Sequence, residues 1–300
     1  MTLQQKIDSN QYILSGEIGP PQSSDGDVIR EKAKYFKGYV DAVNVTDNQT
    51  AIVRLSSIAS AKILLDEGVE PVMQMTCRDR NRLAIQSDLL GAAALGIRNV
   101  LCLTGDHQTL GDHPEAKGVF DLDSIQLIAA VAAMNRGVLL SGCEMKRAPE
   151  FVIGAAANPF AEPFEMRIIR LHKKIKAGAR FIQTQPVFDL TIFRRWMEAV
   201  VEMGLHEKTA ILAGVMPVRS AKTLLWMKEK MPGIKIQDEQ IKRMSQARNP
   251  DDEGAAMAVE LIRALRNMDG VRGIHLMPAM WEKITPTIIM EAGLQRANEE

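Results

Sequence analysis

The 300-residue chain is 46% hydrophobic and 25% charged, which suffices for a sizeable core in one domain. Lys+Arg and Asp+Glu balance at 37 each with no dense basic cluster, so the charge gives no reason to expect nucleic acid or an anionic membrane. No stretch reaches the ~20 apolar residues of a membrane span, the N-terminus lacks a signal-type apolar core, and Cys77, Cys102 and Cys143 match no zinc or iron–sulfur spacing, so a soluble protein of the reducing cytoplasm is expected.

The first predicted strand is Tyr12–Glu17, and Val40–Thr46, Val72–Thr76 and Val100–Asp106 follow it. Phe151–Asn158, Phe181–Gln185, Ala210–Val215 and Ile274–Met277 complete the set. Each is a short apolar run after a helix-like stretch, and each ends in small or chemically useful residues. Glycine marks the helix-to-strand junction at Gly38, Gly68, Gly96, Gly178 and Gly270, as expected where a helix closes at positive φ. After the third strand, Asp79 is a predicted N-cap, and Leu83, Ser87, Leu90 and Ala94 form a predicted core-facing stripe. The polar stretch Gly105–Asp123 is a long connection of the kind that carries function. Pro163 suits a first helical turn, with Phe164, Ile168, Leu171 and Ile175 as the buried stripe behind it. Met231–Pro250 adds a short helix before a long one over Glu253–Met268. Trp196 and Trp226 are assigned to helix packing, Cys102 to the core, and His275 to a hydrogen-bonded inner-strand position. Eight such strands alternating with helices predict a closed (β/α)₈ TIM barrel, with 1–300 as a single domain.

A barrel of this kind places its chemistry where the strands end. Glu17 ends the first strand among Gly, Ile and two prolines, where burial favours the protonated form that a general acid needs. The alternative is a rim ion pair. Asp106 ends the fourth strand behind Gly105, which lets the backbone turn beside a ligand; equally, Asp106 could cap its own loop. Gln185 ends the sixth strand and can read a heteroaromatic edge or brace a loop. Ala155–Asn158 is built of small residues that admit a flat cofactor or simply pack tightly. Lys174, on the flank of a helix stripe, is ordinarily a solvated surface lysine. His107, His113 and His275 fit no zinc signature, and no metal is expected.

At these residues the chain resembles the methylenetetrahydrofolate reductase family, in order and over nearly its whole length. Its Glu-x-x-Pro-Pro is Glu17–Pro21, its Val-x-Val-Thr is Val43–Thr46, and its strand-three Thr-Cys is Thr76–Cys77. Gly105–Asp106, Ala177–Ala179, Thr184–Gln185, Phe188–Asp189 and Gly214–Val218 match further pieces. The resemblance implies a flavin, FAD or FMN, at the C-terminal face. Thr46, Gln74, Thr104, Gly105, Asp106, Ala157, Asn158 and Lys174 fall at its lining positions. It implies catalytic roles for Glu17 and Asp106, and folate contacts for Asp106 and Gln185. The implied reaction reduces 5,10-methylenetetrahydrofolate to 5-methyltetrahydrofolate, a step of one-carbon metabolism and methionine biosynthesis.

Several positions depart from the family pattern. Ala221 stands where nicotinamide-dependent members often carry an aromatic, Trp281 where an arginine is frequent, Thr104 before Gly-Asp in place of arginine, and Gln74 in place of a flavin-side histidine. These departures point away from direct NADH use and toward an iron–sulfur electron-transfer partner subunit in a homo- or hetero-oligomer. The alternative readings are a flavin-free folate-binding methyl-transfer barrel and a non-catalytic scaffold subunit.

Overall fold

The computed structural model describes residues 1–231 and 233–294. Eight parallel strands close into a barrel in sequential order. They are β1 Ile13–Ile18, β2 Ala42–Val45, β3 Pro71–Thr76, β4 Asn99–Leu103, β5 Val152–Ala157, β6 Phe181–Pro186, β7 Ala210–Val215 and β8 Val271–Leu276. Helices α1 Leu3–Asp8, α2 Asp27–Ala33, α3 Ser57–Asp66, α4 Arg82–Ala94 and α5 Ser124–Asn135 accompany the first half. Helices α6 Phe164–Ala177, α7 Leu190–Glu202, α8 Ala221–Lys230, α9 Asp238–Gln246, α10 Pro250–Arg266 and α11 Thr285–Glu291 accompany the second. All eight predicted strands are present, and α9 is the predicted extra helix. No helix among the described residues is long and apolar enough to cross a membrane.

Strand alternation divides the interior into levels. Ile13, Ala42, Val72, Leu101, Val152 and Phe181 belong to one apolar cluster at the barrel floor, closed from below by Leu3 and Ile7 of α1. Two residues further along the same strands sit Ser15, Asn44, Gln74 and Gln183, all buried and polar. One more step of two reaches Glu17, Thr46, Thr76 and Gln185, which open into the mouth. The intervening residues, such as Leu14, Val43, Met73 and Ile182, pack outward against the helices. Phe181 fills the floor only because β5 carries Gly154 beside it. A Cβ at Gly154 would stand 2.1 Å from the Phe181 ring.

The five junction glycines all adopt positive φ, from +73° at Gly68 to +126° at Gly178. The stripe of α6 is also as predicted, with Ile168 and Leu171 buried. Four local expectations are corrected. In α4 the buried face is Ile85, Leu89 and Ala92, while Leu83 is 76% exposed. This sequence carries two overlapping apolar stripes, and docking on the sheet selects the other one. Asn81, not Asp79, caps that helix by accepting from the Leu83 and Ala84 amides. Asp79 is instead paired to Arg78 at 2.7 Å. Pro163 is the residue before α6 rather than its first turn, with ψ of 143°. Trp196 is buried as expected, but Trp226 is 56% exposed because α8 turns its Leu224 and Met227 inward.

Candidate active site at the barrel mouth

A cavity of about 360 Å³ occupies the C-terminal mouth, within the ~300–1,000 Å³ typical of small-molecule sites. Its walls include Glu17, Thr46, Gln74, Thr104, Gly105, Asp106, Lys174 and Gln185. Eight of the predicted site residues are thus gathered, seven from five strands or the segments that leave them and Lys174 from α6. The other two, Ala157 and Asn158, line an adjoining cavity of about 170 Å³. Lys174 and Gln185 border both spaces.

Glu17 has a side chain 16% exposed and stands 3.5 Å from His275 Nε2 through its Oε2. The same Oε2 accepts a 2.9 Å hydrogen bond from the Gln74 amide. Behind it, His275 Nδ1 meets the Ser15 hydroxyl at 3.0 Å. Gln183 donates to Ser15 Oγ at 3.3 Å and exchanges two hydrogen bonds with Asn44. Glu17 therefore tops a continuous polar column that crosses the barrel interior. Buried networks of this kind rigidify when every member is partnered. The same alternation that brings Glu17 inward brings Ser15 in below it, which is the signal that finds Ser15 from sequence.

Asp106 is exposed at the mouth, on the loop that leaves β4 through Gly105 at φ +94°. Its Oδ2 accepts the Thr50 backbone amide at 3.1 Å, and its carbonyl accepts Arg78 Nη1 at 3.2 Å. Thr50 lies in a turn where Asn48, Thr50 and Ala51 adopt φ of +46°, +58° and +57°. Non-glycine residues hold such values only when neighbours impose them. Arg78 supplies part of that restraint by donating to the Asn48 carbonyl at 3.2 Å. Sequence reading missed Arg78. Its only signal was a position two residues past Thr76, on the inward side of β3.

Lys174 is not a solvated surface residue. Its ammonium donates to the Ala156 carbonyl at 2.6 Å, at the end of β5. Burial, reinforced by the Arg170 guanidinium, pushes its pKa down to about 8. Arg167 and Arg170 share the smaller cavity with it. Arg170 precedes Lys174 by one helical turn, so their common face was readable from the spacing. The buried Thr46 hydroxyl has no hydrogen-bond partner among the described residues and borders the larger cavity. Together these groups offer one carboxyl group on a braced column, a second across the mouth, an unsatisfied hydroxyl, and a cationic arm suited to phosphate.

Comparison with known proteins bears on this arrangement. The family model for methylenetetrahydrofolate reductase matches residues 2–293. A probable methylenetetrahydrofolate reductase (NADPH) of Caenorhabditis elegans is 24% identical over 97% of this chain and 44% of its own length. Methylenetetrahydrofolate reductase (NADH) 1 of Arabidopsis thaliana is 26% identical over 96% of this chain and 49% of its own length. The chain thus spans about half the length of these curated relatives. A 5,10-methylenetetrahydrofolate reductase of Pectobacterium carotovorum subsp. carotovorum is 25% identical over 87% of this chain and 84% of its own. Among solved structures, an uncharacterized protein from Clostridium thermocellum, described as binding two copies of 5-methyl-5,6,7,8-tetrahydrofolic acid, superposes with a TM-score of 0.67. At 15% identity over 98% of this chain and 99% of that one, it shares the fold.

Proposed function

The chain belongs to the methylenetetrahydrofolate reductase family, and from that premise we propose that it reduces 5,10-methylenetetrahydrofolate to 5-methyltetrahydrofolate with the help of a flavin. The observation that carries this reading is the opening of Glu17 and Asp106, from β1 and β4, into one cavity. The Clostridium thermocellum protein of the same fold, described as a methyltetrahydrofolate binder, adds support.

The residues present fit a flavin. Thr46 lines the cavity, and its buried hydroxyl, without a hydrogen-bond partner among the described residues, is a group that a flavin would satisfy. Gly105 and Ala157 keep two strand ends low, and Lys174, Arg167 and Arg170 form an arm for the phosphate of FAD or FMN. When bound, the flavin supplies hydride chemistry that no side chain can provide. The protein's own contribution is acid–base and electrostatic. Gln74 and His275 both engage Glu17 Oε2, which leaves Oε1 to carry the proton given to the departing ring nitrogen as the substrate's imidazolidine opens. Asp106 places negative charge across the mouth, where it stabilises the iminium cation that opening creates. Gln185 presents an amide to the pterin edge and fixes its orientation. The same reading puts the enzyme in cytoplasmic one-carbon metabolism, at the methyl supply for methionine.

The reducing equivalents, in this reading, arrive through an iron–sulfur partner subunit rather than directly from NAD(P)H. Among the described residues, no Phe, Tyr or Trp lines the cavity to stack a nicotinamide. One experiment tests both parts. The purified chain is analysed for released flavin by mass, then mixed rapidly with NADH under anaerobic conditions. A stoichiometric flavin that bleaches slowly with NADH is expected. A flavin-free chain that still turns over would overturn the cofactor assignment, and fast bleaching would overturn the partner.

Lys174 adds a pH signature. Its folded-state value of about 8 lies below the 10.5 of a free lysine, so its positive charge is lost as pH rises through 8. Flavin retention on ultrafiltration is expected to fall over the same interval and to lose that inflection in Lys174→Arg. Stability of the flavin-free chain should move the other way. Between 8 and 10.5 the unfolded state binds more protons at this group, so its contribution to folding improves with rising pH.

A further inference from the structure

The catalytic cavity carries two apolar walls. Leu101 and Leu103 line it from β4. Met277 beyond β8, Met216 beyond β7 and Met231 beyond α8 line it as well. In a closed ring of eight sequential strands, β4 and β8 are diametrically opposed. The flavin reading uses the side from β2 to β5, through Thr46, Gly105, Asp106 and Lys174. The methionine wall is therefore left to face whatever stacks on the cofactor's far side.

With no Phe, Tyr or Trp in the lining among the described residues, the flat rings of the substrate have three thioethers to pack against. Methionine suits this task because it is unbranched, flexible and polarizable, and its sulfur makes favourable contacts with aromatic rings. Met216 separates the catalytic cavity from a second one of about 510 Å³, itself bordered by Met244 and Met257. Met231 belongs to the connection from α8 to α9, which the minimal barrel lacks. Met231 lines the mouth, and Gly233 lies against Asn158, just after β5. Gly233, at φ +78°, lies so close that a Cβ there would come within 2.4 Å of the Asn158 amide nitrogen.

We propose that Met216, Met231 and Met277 form the face on which the ring system of the folate packs, and that Met231 is its positioning residue. The proposal rests on the folate reading above. It assigns to Met231, the residue that follows α8, a direct part in substrate recognition.

The test uses the full chain labelled with [methyl-¹³C]methionine and titrated with 5-methyltetrahydrofolate, with calorimetry in parallel. The chain has 17 methionines, and Met→Leu substitutions at 216, 231 and 277 assign the three signals. Upfield ring-current shifts of these three methyls are expected, with distant ones such as the Met73 signal still. Met231→Gln, equal in length but polar, should raise the Kd and KM for folate about tenfold and leave saturated turnover within about twofold. Met231→Leu should restore affinity. Folate that binds by calorimetry without moving the three methyls would overturn the proposal and leave the functional reading intact. A folded chain with no calorimetric binding would instead remove the folate reading, and the proposal with it.

Discussion

Glu17→Gln is expected to lower turnover by about 10²–10⁴-fold, the usual contribution of a positioned general acid, with folate affinity changed by no more than a few-fold. The substitution is nearly isosteric. A glutamine oxygen in the place of Oε2 can still accept the 2.9 Å hydrogen bond from Gln74 and face His275, with the amide nitrogen in the place of Oε1. The column Asn44–Gln183–Ser15–His275 has its own hydrogen bonds and should stay in place. What disappears is the proton at Oε1 that the departing nitrogen requires. The deficit should therefore fall on kcat and on kcat/KM alike, the pattern of an interaction made in the transition state. Steady-state assay of methyltetrahydrofolate oxidation with an artificial electron acceptor measures it, and calorimetry with the same folate reports affinity separately. A variant with full turnover would remove Glu17 from the chemistry and favour a scaffold role for the barrel.

Asp47→Ala should produce the largest loss of stability near the site. The Asp47 carboxylate is buried beneath the mouth. It accepts from the Thr76 amide and hydroxyl, both at 2.9 Å. Arg80 approaches it with Nη1 at 2.7 Å and Nη2 at 3.2 Å. Two short donors from β3 and a forked guanidinium thus converge on one acidic group after β2. Removing that group strands a largely buried arginine charge and orphans a backbone amide. Breaking a buried pair in this way costs about 3–5 kcal/mol. For a chain of this size that corresponds to a melting temperature lower by roughly 5–8 °C, measurable by calorimetry or urea titration. Arg80 keeps one partner, Asp88 at 2.9 Å, which limits the damage without replacing the forked contact. Asp47→Ala with Arg80→Met should recover part of the loss, because the stranded charge goes too. A single variant as stable as the parent would show that water reaches Arg80 and solvates it.

The two variants act at different levels of the same alternation. Glu17 stands at the end of an inward-facing series on β1, and Asp47 lies one residue beyond the inward-facing Thr46. The first is a carboxyl group presented to the cavity; the second ties neighbouring strand ends together beneath it.

Much of this was legible in the chain. Apolar runs ending in Glu17, Thr46, Asp106 and Gln185 identified strands and mouth together, because a barrel strand is buried along its length and released only at its end. Glycines at 38, 68, 96, 178 and 270 marked junctions, since a helix that must stop and turn needs a residue free to take positive φ. These are local properties, carried by a residue and its immediate neighbours. The face of α4, the outward turn of Trp226 and the descent of Lys174 into the mouth were of another kind. Each depends on how a helix is rotated against the sheet, and a helix with apolar residues on two sides does not encode that rotation by itself. Arg78, held between the Asn48 and Asp106 carbonyls, and Met231, which lines the mouth from the end of α8, lie far along the chain from their partners. Only closure of the cylinder could bring them there, because the energy of such contacts is collected after distant strand ends have met.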